Sequence, residues 1–459
     1  EQFAPWLAGF FNVNKVSDDK YFADFADRIA ITSQRTLPRE AGIVATSGPW
    51  SLLARAQSFQ TLQDPSAPVV PPYNRLPQIL GTLNETDWLG LTWSGNAEYA
   101  RFTQDQLAPT GERAVLYPTA AWHRQGAAWF FSARAGVHLR DYFLDRTTPA
   151  LSEHNPSYAI PITSVDAGLV FERDMKVLDT ALTQTLEPRA FYVYIPYKDQ
   201  SKAPVFDTAL DDFNFSQLFT ENRYIGNDRI GDANQLTLAL TSRFLDHQTG
   251  AERLRLAVGQ RFYFADQRVS LNEPLRSASS SDFLVSAEGR LSDAWSLAGL
   301  LQYNFDNAEV ERLNLGVRYT PSPGRALNAT WRFTRTFLDP TGAIEQIKQI
   351  DLSAQWPVSD RWTLIGRWNY SFTDRKTLEG IAGIEYNADC WVLRVVGQRL
   401  TTTTQQATTS VFVQLELNGL ARVGTSPLEL LRRSVPGYLP TNDPSLRDRD
   451  RRLDPLPEF

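Results

Sequence analysis

The residues that could carry acid–base or metal chemistry are few and scattered. The four histidines are His123, His138, His154 and His247, which are too far apart in sequence to indicate one ligand cluster. No nucleophile-elbow, zinc-protease or phosphate-loop motif is present. A nucleophile, a base and an orienting group cannot be assembled from the pattern. The sequence therefore predicts no enzyme, no cofactor and no metal site.

Paired acids lie in segments that read as loops. Asp18-Asp19 and Asp211-Asp212 are of this kind, and carboxylates in loops are normally solvated. The acidic stretch from Asp207 to Asp232 offers the oxygen ligands that Ca²⁺ prefers, but it lacks the spacing of an EF-hand loop. We therefore do not expect a calcium site there.

One pair of charges stands inside a strand pattern. Residues 183–197 alternate with a period of two, which indicates a β-strand, and Glu187 and Arg189 fall on the same face of it. Two interpretations stay open. The pair is either an ordinary luminal ion pair or polar strand end, or a contact that fixes the register by reaching a loop around Asp228 and Arg229 that folds into the lumen.

The same alternation runs through most of the chain. In residues 362–372 one face carries Trp, Leu, Gly, Trp, Tyr and Phe, and the other carries Thr363, Arg367, Asn369 and Ser371. No apolar run of 18 residues appears, so no transmembrane helix is predicted. Aromatic residues make up 12% of the chain and recur near both ends of strands, as in the interfacial girdles of membrane barrels.

Two fold classes explain strands with one apolar face and one polar, solvated face. A soluble β-sandwich or propeller is one, and a membrane barrel with a polar lumen is the other. No blade repeat of about 40 to 50 residues is visible, and strands of roughly 10 to 15 residues suit a tilted membrane crossing. We therefore predict an all-β fold, a large antiparallel transmembrane β-barrel of about 24 to 26 strands with long extracellular loops partly folded into the lumen.

The domain organisation follows from composition. No break or linker divides the chain before its end, so residues 1–435 are predicted to form the barrel. Residues 436–459 are rich in proline and mixed charge, and proline is excluded from central ladders, so we predict a mobile tail. The formal net charge of −6 gives no basic surface for nucleic acid. The single cysteine, Cys390, should face the lumen or its periplasmic rim.

Several separated motifs resemble one known family. They read Thr-Gln-Thr-Leu-Glu-Pro-Arg at 183–189, Pro-Tyr-Lys-Asp-Gln at 196–200, Asp-Arg-Ile at 228–230 with Ala-Asn-Gln at 233–235, and Thr-Ser-Arg at 241–243. Phe-Glu-Arg-Asp-Met at 171–175, and Val-Ser-Asp-Asp at 16–19 with Tyr-Phe at 21–22, fit the same order. From about Ala8 to about Pro436 the chain resembles the β-barrel portion of the lipopolysaccharide-assembly outer-membrane protein (LptD) family.

The resemblance implies a set of signature residues that pack in the lumen. They are Glu187, Arg189, Tyr197, Asp199, Asp228, Arg229, Asn234, Gln235 and Arg243. Cys390 matches the second of two adjacent cysteines in the family. The resemblance therefore implies an interdomain disulfide to a cysteine of an N-terminal periplasmic region outside these residues.

The resemblance also implies a function and partners. The family inserts lipopolysaccharide into the outer leaflet of the Gram-negative outer membrane, with lateral release between the first and last strands. A lipoprotein plugs the barrel one-to-one, and a periplasmic bridge protein delivers the lipid through an N-terminal jellyroll. We expect that jellyroll to be absent here, and whether the first barrel strand is present stays open. A passive porin or a ligand-gated receptor barrel is the alternative.

Overall fold

A computed structural model describes residues 1–19, 35–63, 69–105, 108–149, 151–177, 180–271, 273, 275–338, 344–401 and 407–443. The motif at 21–22 lies outside the described residues. No helix in the described part of the chain has the length and apolar character needed to cross a bilayer.

The described residues form 25 strands, one short 3-10 helix at Ser216–Phe219 and one α-helix, α1, at Leu428–Ser434. The strands, numbered along the chain, are β1 Gln2–Ala4, β2 Leu7–Val13, β3 Thr36–Ser47, β4 Trp50–Thr61, β5 Asn74–Trp88, β6 Leu91–Thr103, β7 Thr110–Gln125, β8 Trp129–Arg146, β9 Ser157–Leu169, β10 Phe171–Val177, β11 Thr180–Ile195, β12 Ala209–Leu210, β13 Tyr224–Ile225, β14 Ala233–Asp246, β15 Glu252–Tyr263, β16 Phe283–Arg290, β17 Trp295–Asn304, β18 Glu309–Ser322, β19 Arg325–Leu338, β20 Ile344–Pro357, β21 Trp362–Ser371, β22 Lys376–Asn387, β23 Trp391–Thr401, β24 Ala407–Leu417 and β25 Ala421–Gly424.

A single antiparallel sheet holds 23 of these strands, and β12 and β13 pair separately inside the longest loop. Sequential strands pair with each other around the sheet. Strands β9 and β10 lie end to end along β11, so they form one crossing that is interrupted at Val170. Among the described strands, no ladder joins β1 or β2 to β24 or β25. The prediction of a large antiparallel all-β fold is confirmed.

The connections differ at the two ends of the sheet. At one end, here called the short-turn end, strands are joined by tight turns such as Gly48-Pro49 and Leu89-Gly90. At the opposite end, the long-loop end, connections include residues 196–232 and 264–282. Outer-membrane barrels have short periplasmic turns and long extracellular loops. The long-loop end therefore corresponds to the extracellular side.

The two faces of the sheet differ in chemistry because side chains alternate along each strand. On one face, large apolar residues such as Leu116, Trp122 and Phe143 are exposed. Arg113 and Arg140 lie on the same two strands but point to the other face, where they are buried. The first face suits lipid, and the second is the luminal face.

The segment after β25 returns to the luminal face. Helix α1 buries Leu428, Leu430 and Leu431 against an apolar patch of β21, β22 and β23. Beyond it, Tyr438 is buried. The prediction that a mobile tail begins at residue 436 therefore differs from the structure for residues 436–443, because inward-facing polar side chains of the sheet bind this segment. Residues 444–459 lie outside the described part.

Candidate functional site

The loop 196–232 is anchored to the luminal wall by Arg113, a fully buried residue of β7. Its guanidinium donates to Asp207 and Asp228 from Nη1, each at 2.7 Å, and from Nη2 to Glu98 at 2.8 Å and to Asp207 at 2.7 Å. Glu98 belongs to β6, and the two aspartates belong to the loop 196–232. A buried guanidinium with carboxylates on both sides is a strong, geometrically specific anchor. It fixes the loop to the wall of the barrel.

The Asp228 carboxylate is fully buried and accepts four hydrogen bonds. Besides Arg113, its donors are the Tyr142 hydroxyl at 2.8 Å and the backbone N–H groups of Phe206 at 2.8 Å and Asp207 at 3.0 Å. Burial by itself would raise the pKa of Asp228, but the Arg113 guanidinium and these N–H donors hold its pKa below the usual range. The carboxylate therefore stays ionised and holds the turn of the loop closed.

A second anchor lies beside the first. Arg140 of β8 donates to the Asn227 carbonyl at 2.7 Å and to the Gln200 side chain at 2.9 Å. Gln200 in turn donates to the Ile230 carbonyl at 2.7 Å, and Arg229 donates to the Ala203 carbonyl at 2.8 Å. The carbonyl groups of Ala203, Asn227 and Ile230 in the loop thus have donors, as a stable buried network requires.

Apolar packing supports the same loop. Phe206 stacks on Phe102 with ring centroids 4.4 Å apart, and it packs edge-on against Tyr73 at 5.1 Å. Ala203 and Ile230 are buried in the same cluster. Because polar anchors and apolar contacts come from one loop, the loop 196–232 forms a cap over this part of the lumen, and we call it the cap loop. The prediction that a long loop folds into the lumen agrees with this geometry.

The cap loop also reaches the far wall. Arg312 of β18 donates to both carboxylate oxygens of Asp212, at 2.9 Å and 2.6 Å. Closer to the centre, Thr237 of β14 donates to the Leu218 carbonyl at 2.7 Å. The loop therefore spans the lumen from β7 to β18. The Asp212 side chain is 64% exposed, so this far anchor is much weaker than the one at Arg113.

The expectation for Glu187 and Arg189 is corrected in detail. Glu187 pairs with Arg243 of the adjacent strand at 3.3 Å and does not reach the cap loop. Arg189 makes a two-pronged contact to Asp166 of β9, at 2.9 Å and 2.5 Å. It does touch the cap loop, but at Phe219, with its guanidinium carbon 3.9 Å from the ring centroid. The ordinary luminal ion pair is thus the correct interpretation for Glu187.

Asp228, Arg229 and Gln235 are buried, but three other signature residues are not luminal contacts of the predicted kind. Asp199 is exposed in a turn, where it accepts the Ser201 N–H at 2.9 Å. Tyr197 is 41% exposed and lies under the Arg268 guanidinium at 3.8 Å. Asn234 accepts the Tyr192 hydroxyl at 2.9 Å on the outward face, because Asn234 has the opposite parity to Gln235.

The C-terminal segment builds a second polar cluster near the short-turn end. Arg394 of β23 is fully buried and donates to Glu416 at 2.6 Å, to Glu385 at 3.3 Å and to Asn442 at 2.6 Å. Glu385 also accepts the Tyr438 hydroxyl. We call residues 428–443 the C-terminal strap, because it binds the luminal face from β19 to β24.

Cys390 lies in the turn between β22 and β23 at the short-turn end, and its thiol is free and exposed. This position agrees with the expected rim location. The predicted disulfide to an N-terminal region stays a prediction. Within the described ranges, no group of three or more His, Cys, Asp or Glu side chains is arranged to hold a metal ion.

Sequence reasoning missed the most connected residues of the lumen. Glu98, Arg113, Arg140 and Asp207 lie in no recognised motif. The signal that was present is an arginine on the polar face of a strand, as in Arg113 and Arg140. Such residues are almost never fully buried without a partner. They therefore predict a luminal partner, although the partner's identity needs the fold.

These features define a class: an outer-membrane β-barrel with a polar lumen that its own cap loop and C-terminal strap partly fill. The family model for "LptD: LPS transport system D" matches residues 2–362. The chain belongs to the LptD family, and its predicted location in the Gram-negative outer membrane is confirmed.

Two curated relatives set the scale of the similarity. The LPS-assembly protein LptD of Azoarcus sp. (strain BH72) is 44% identical over 97% of this chain and 55% of its own length. That of Thiobacillus denitrificans is 44% identical over 94% of this chain and 58% of its own length. The chain thus spans about half the length of the relatives it matches. Among solved structures, the siderophore receptor PirA from Acinetobacter baumannii matches over 85% of this chain and 73% of its own, at 9% identity and a TM-score of 0.33.

Proposed function

We propose that this chain is the membrane-embedded conduit of a lipopolysaccharide translocon, and that it moves the lipid to the outer leaflet without chemistry of its own. One observation carries the proposal. A member of a family described as an LPS transport system carries charged luminal side chains at both ends of its sheet, at Arg394 near the short-turn end and at Arg113 under the cap loop. A polar lumen suits the hydrophilic sugar portion of an amphipathic lipid, whereas acyl chains require an apolar path.

The acyl chains would leave sideways, between the first and last strands. Support comes from the sheet, because the described parts of β1 and β2 form no ladder with β24 or β25. Exposing unpaired backbone N–H and C=O groups to hydrocarbon costs free energy. A barrel therefore opens most easily at the seam where the fewest hydrogen bonds must be broken.

The proposed partners follow from the family. A lipoprotein plug would bind one-to-one in the part of the lumen that the cap loop and the C-terminal strap leave open. A periplasmic bridge protein would deliver the lipid through an N-terminal domain, and Cys390, exposed at the short-turn end, would bond to a cysteine of that domain.

The test is gentle detergent extraction of the full-length protein from its native membrane, followed by native mass spectrometry. We expect a one-to-one complex with a small lipoprotein that retains lipopolysaccharide. A homotrimer without lipoprotein would instead favour a passive porin. A monomer that retains a small soluble ligand would favour a gated receptor, and either result would refute the proposal.

A further inference from the structure

A recess of about 630 Å³ lies on the luminal face of β16 to β19. Pro436 of the C-terminal strap lines one edge of it. On the long-loop side, Arg312 of β18 holds the tip of the cap loop through Asp212. The recess is thus the part of the wall between the two segments that fill the lumen, and a molecule passing between them would meet it.

Small residues form the floor of the recess. Ala298 of β17 and Gly316 of β18 are directly paired across the sheet and both line it. A Cβ atom added at Gly316 would meet only the Ala298 carbonyl oxygen at 3.7 Å and the Thr330 hydroxyl at 3.8 Å, which is ordinary contact. The recess is therefore deep at this point because these residues have small side chains, and the backbone does not require a glycine at position 316.

Three arginines surround this floor: Arg290, Arg318 and Arg332, all of them exposed. In the sheet register Arg290 pairs with Ser296, and Ser296 pairs with Arg318. Two strand spacings therefore separate the two arginines, about 9.5 Å.

The partners of these arginines are neutral. Arg290 donates to the Asp293 carbonyl at 3.2 Å, and Arg318 donates to the Asn328 amide oxygen at 3.1 Å. In the described part of the chain none of the three forms an ion pair, and Glu288 is the one carboxylate lining the recess. The recess therefore carries an excess of positive charge.

Three other luminal arginines are held by carboxylates. Arg367 lies in the same transverse row as Arg318, through Asn328 and Ser353, yet it is held by Asp351 and Glu379 at 2.6 Å each. Arg113 and Arg394 are likewise paired with carboxylates. The charge of the recess is available to a ligand, whereas the charges of Arg113, Arg367 and Arg394 are already balanced by carboxylates of the protein.

We propose that this recess is a transient binding site for the phosphate groups of an anionic glycolipid that moves through the lumen. The guanidinium fork matches the geometry of phosphate oxygens and binds them by charge-assisted hydrogen bonds. Asn314, Thr330 and Ser286 line the same recess and supply neutral donors for sugar hydroxyls. Because the arginines stay exposed, binding is weak enough to be released. This inference rests on the proposed function and adds to it a binding site for the lipid on one wall of the lumen.

The test uses the full-length protein in its native membrane, with a photo-crosslinking amino acid at Thr330 inside the recess. The matched control carries the same probe at Ala329, which faces away from the lumen. We expect lipopolysaccharide that passes through the lumen to form an adduct with the probe at Thr330 and no adduct with the probe at Ala329. Combining Arg318→Gln with Arg332→Gln should lower the Thr330 adduct about tenfold, as expected for losing partly solvated charged hydrogen bonds. The Arg318→Lys and Arg332→Lys pair should keep most of it.

A third probe, at Ser94 on the opposite wall, separates two kinds of failure. An adduct at Ser94 with none at Thr330 would overturn the recess and leave the translocon in place. No adduct at either position would overturn luminal passage itself. If the yield of the Thr330 adduct is the same in the double glutamine variant as in the double lysine variant, the positive charge is irrelevant and the phosphate assignment is refuted.

The source of the phosphate is distinguished in the purified full-length complex. We expect phosphorylated lipopolysaccharide to form the Thr330 adduct, and the same lipid stripped of its phosphates to form about tenfold less. If inorganic pyrophosphate binds in a manner that depends on Arg318 and Arg332 while the two lipids crosslink equally, the site takes free phosphate and the glycolipid assignment is wrong.

Discussion

The strongest prediction concerns the anchor of the cap loop. Replacing Arg113 with Met removes the one guanidinium that contacts Glu98, Asp207 and Asp228 together. The three carboxylates would then face one another in a buried site. Removing one partner of a buried ion pair typically costs about 3 to 5 kcal/mol. Here the cost falls on closure of the loop, since the strands keep their own ladders.

The readout is hydrogen exchange of the loop amides in the full-length protein. The Phe206 and Asp207 N–H groups are bound by the Asp228 carboxylate, so their exchange requires the loop to open. A loss of about 3 to 5 kcal/mol corresponds to exchange that is faster by about a hundred to a few thousand fold. Ion conductance through the barrel should rise in parallel.

The matched control is Arg312→Gln, which removes the exposed anchor of the same loop at Asp212. An exposed pair contributes less than about 1 kcal/mol, so exchange at Phe206 should change by less than about fivefold. If Arg113→Met leaves the exchange of Phe206 and Asp207 unchanged, or if the control has an equal effect, the buried network does not hold the loop. The reasoning would then be refuted.

Three further outcomes are expected. The pKa of Asp228 is lower in the folded loop than in an open one, so its contribution is complete above about pH 4 and is lost as the pH falls through the lowered value; the protection of the loop amides, taken relative to their intrinsic exchange rate at each pH, should therefore be constant above about pH 4 and decrease below it, and Asp228→Asn should flatten that dependence. Leu431 is fully buried under the luminal wall, so Leu431→Ala should loosen the C-terminal strap by about 2 to 5 kcal/mol and increase its cleavage by protease, whereas Glu429→Ala on the exposed side should not. Cys390 should react readily with a maleimide in this chain alone but not in the oxidised full-length protein, and equal reactivity in both would contradict the interdomain disulfide.

The alternation of side chains was sufficient to predict the sheet, because a strand exposes its two faces to different surroundings at every step. Trp362, Leu364 and Trp368 on one face, with Thr363 and Arg367 on the other, already distinguish lipid from lumen. The identity of luminal partners was not predictable in the same way. Glu187 contacts Arg243 rather than the cap loop, because the partner of a luminal side chain depends on strand register and barrel curvature, which alternation does not specify.

The proline-rich C-terminal segment likewise separates what the sequence predicts from what only the structure decides. Composition predicts that residues from 436 onward cannot extend the sheet, and in the described residues 436–443 they do not. Composition cannot predict that Tyr438 and Asn442 bind Glu385 and Arg394 inside the barrel. Sequence by itself determined the class of fold, the family and the face on which each strand residue lies, since these follow from local periodicity and motif order. Tertiary structure alone decided which charges are paired and which remain available to a ligand, because pairing joins residues that lie up to 132 positions apart in the chain.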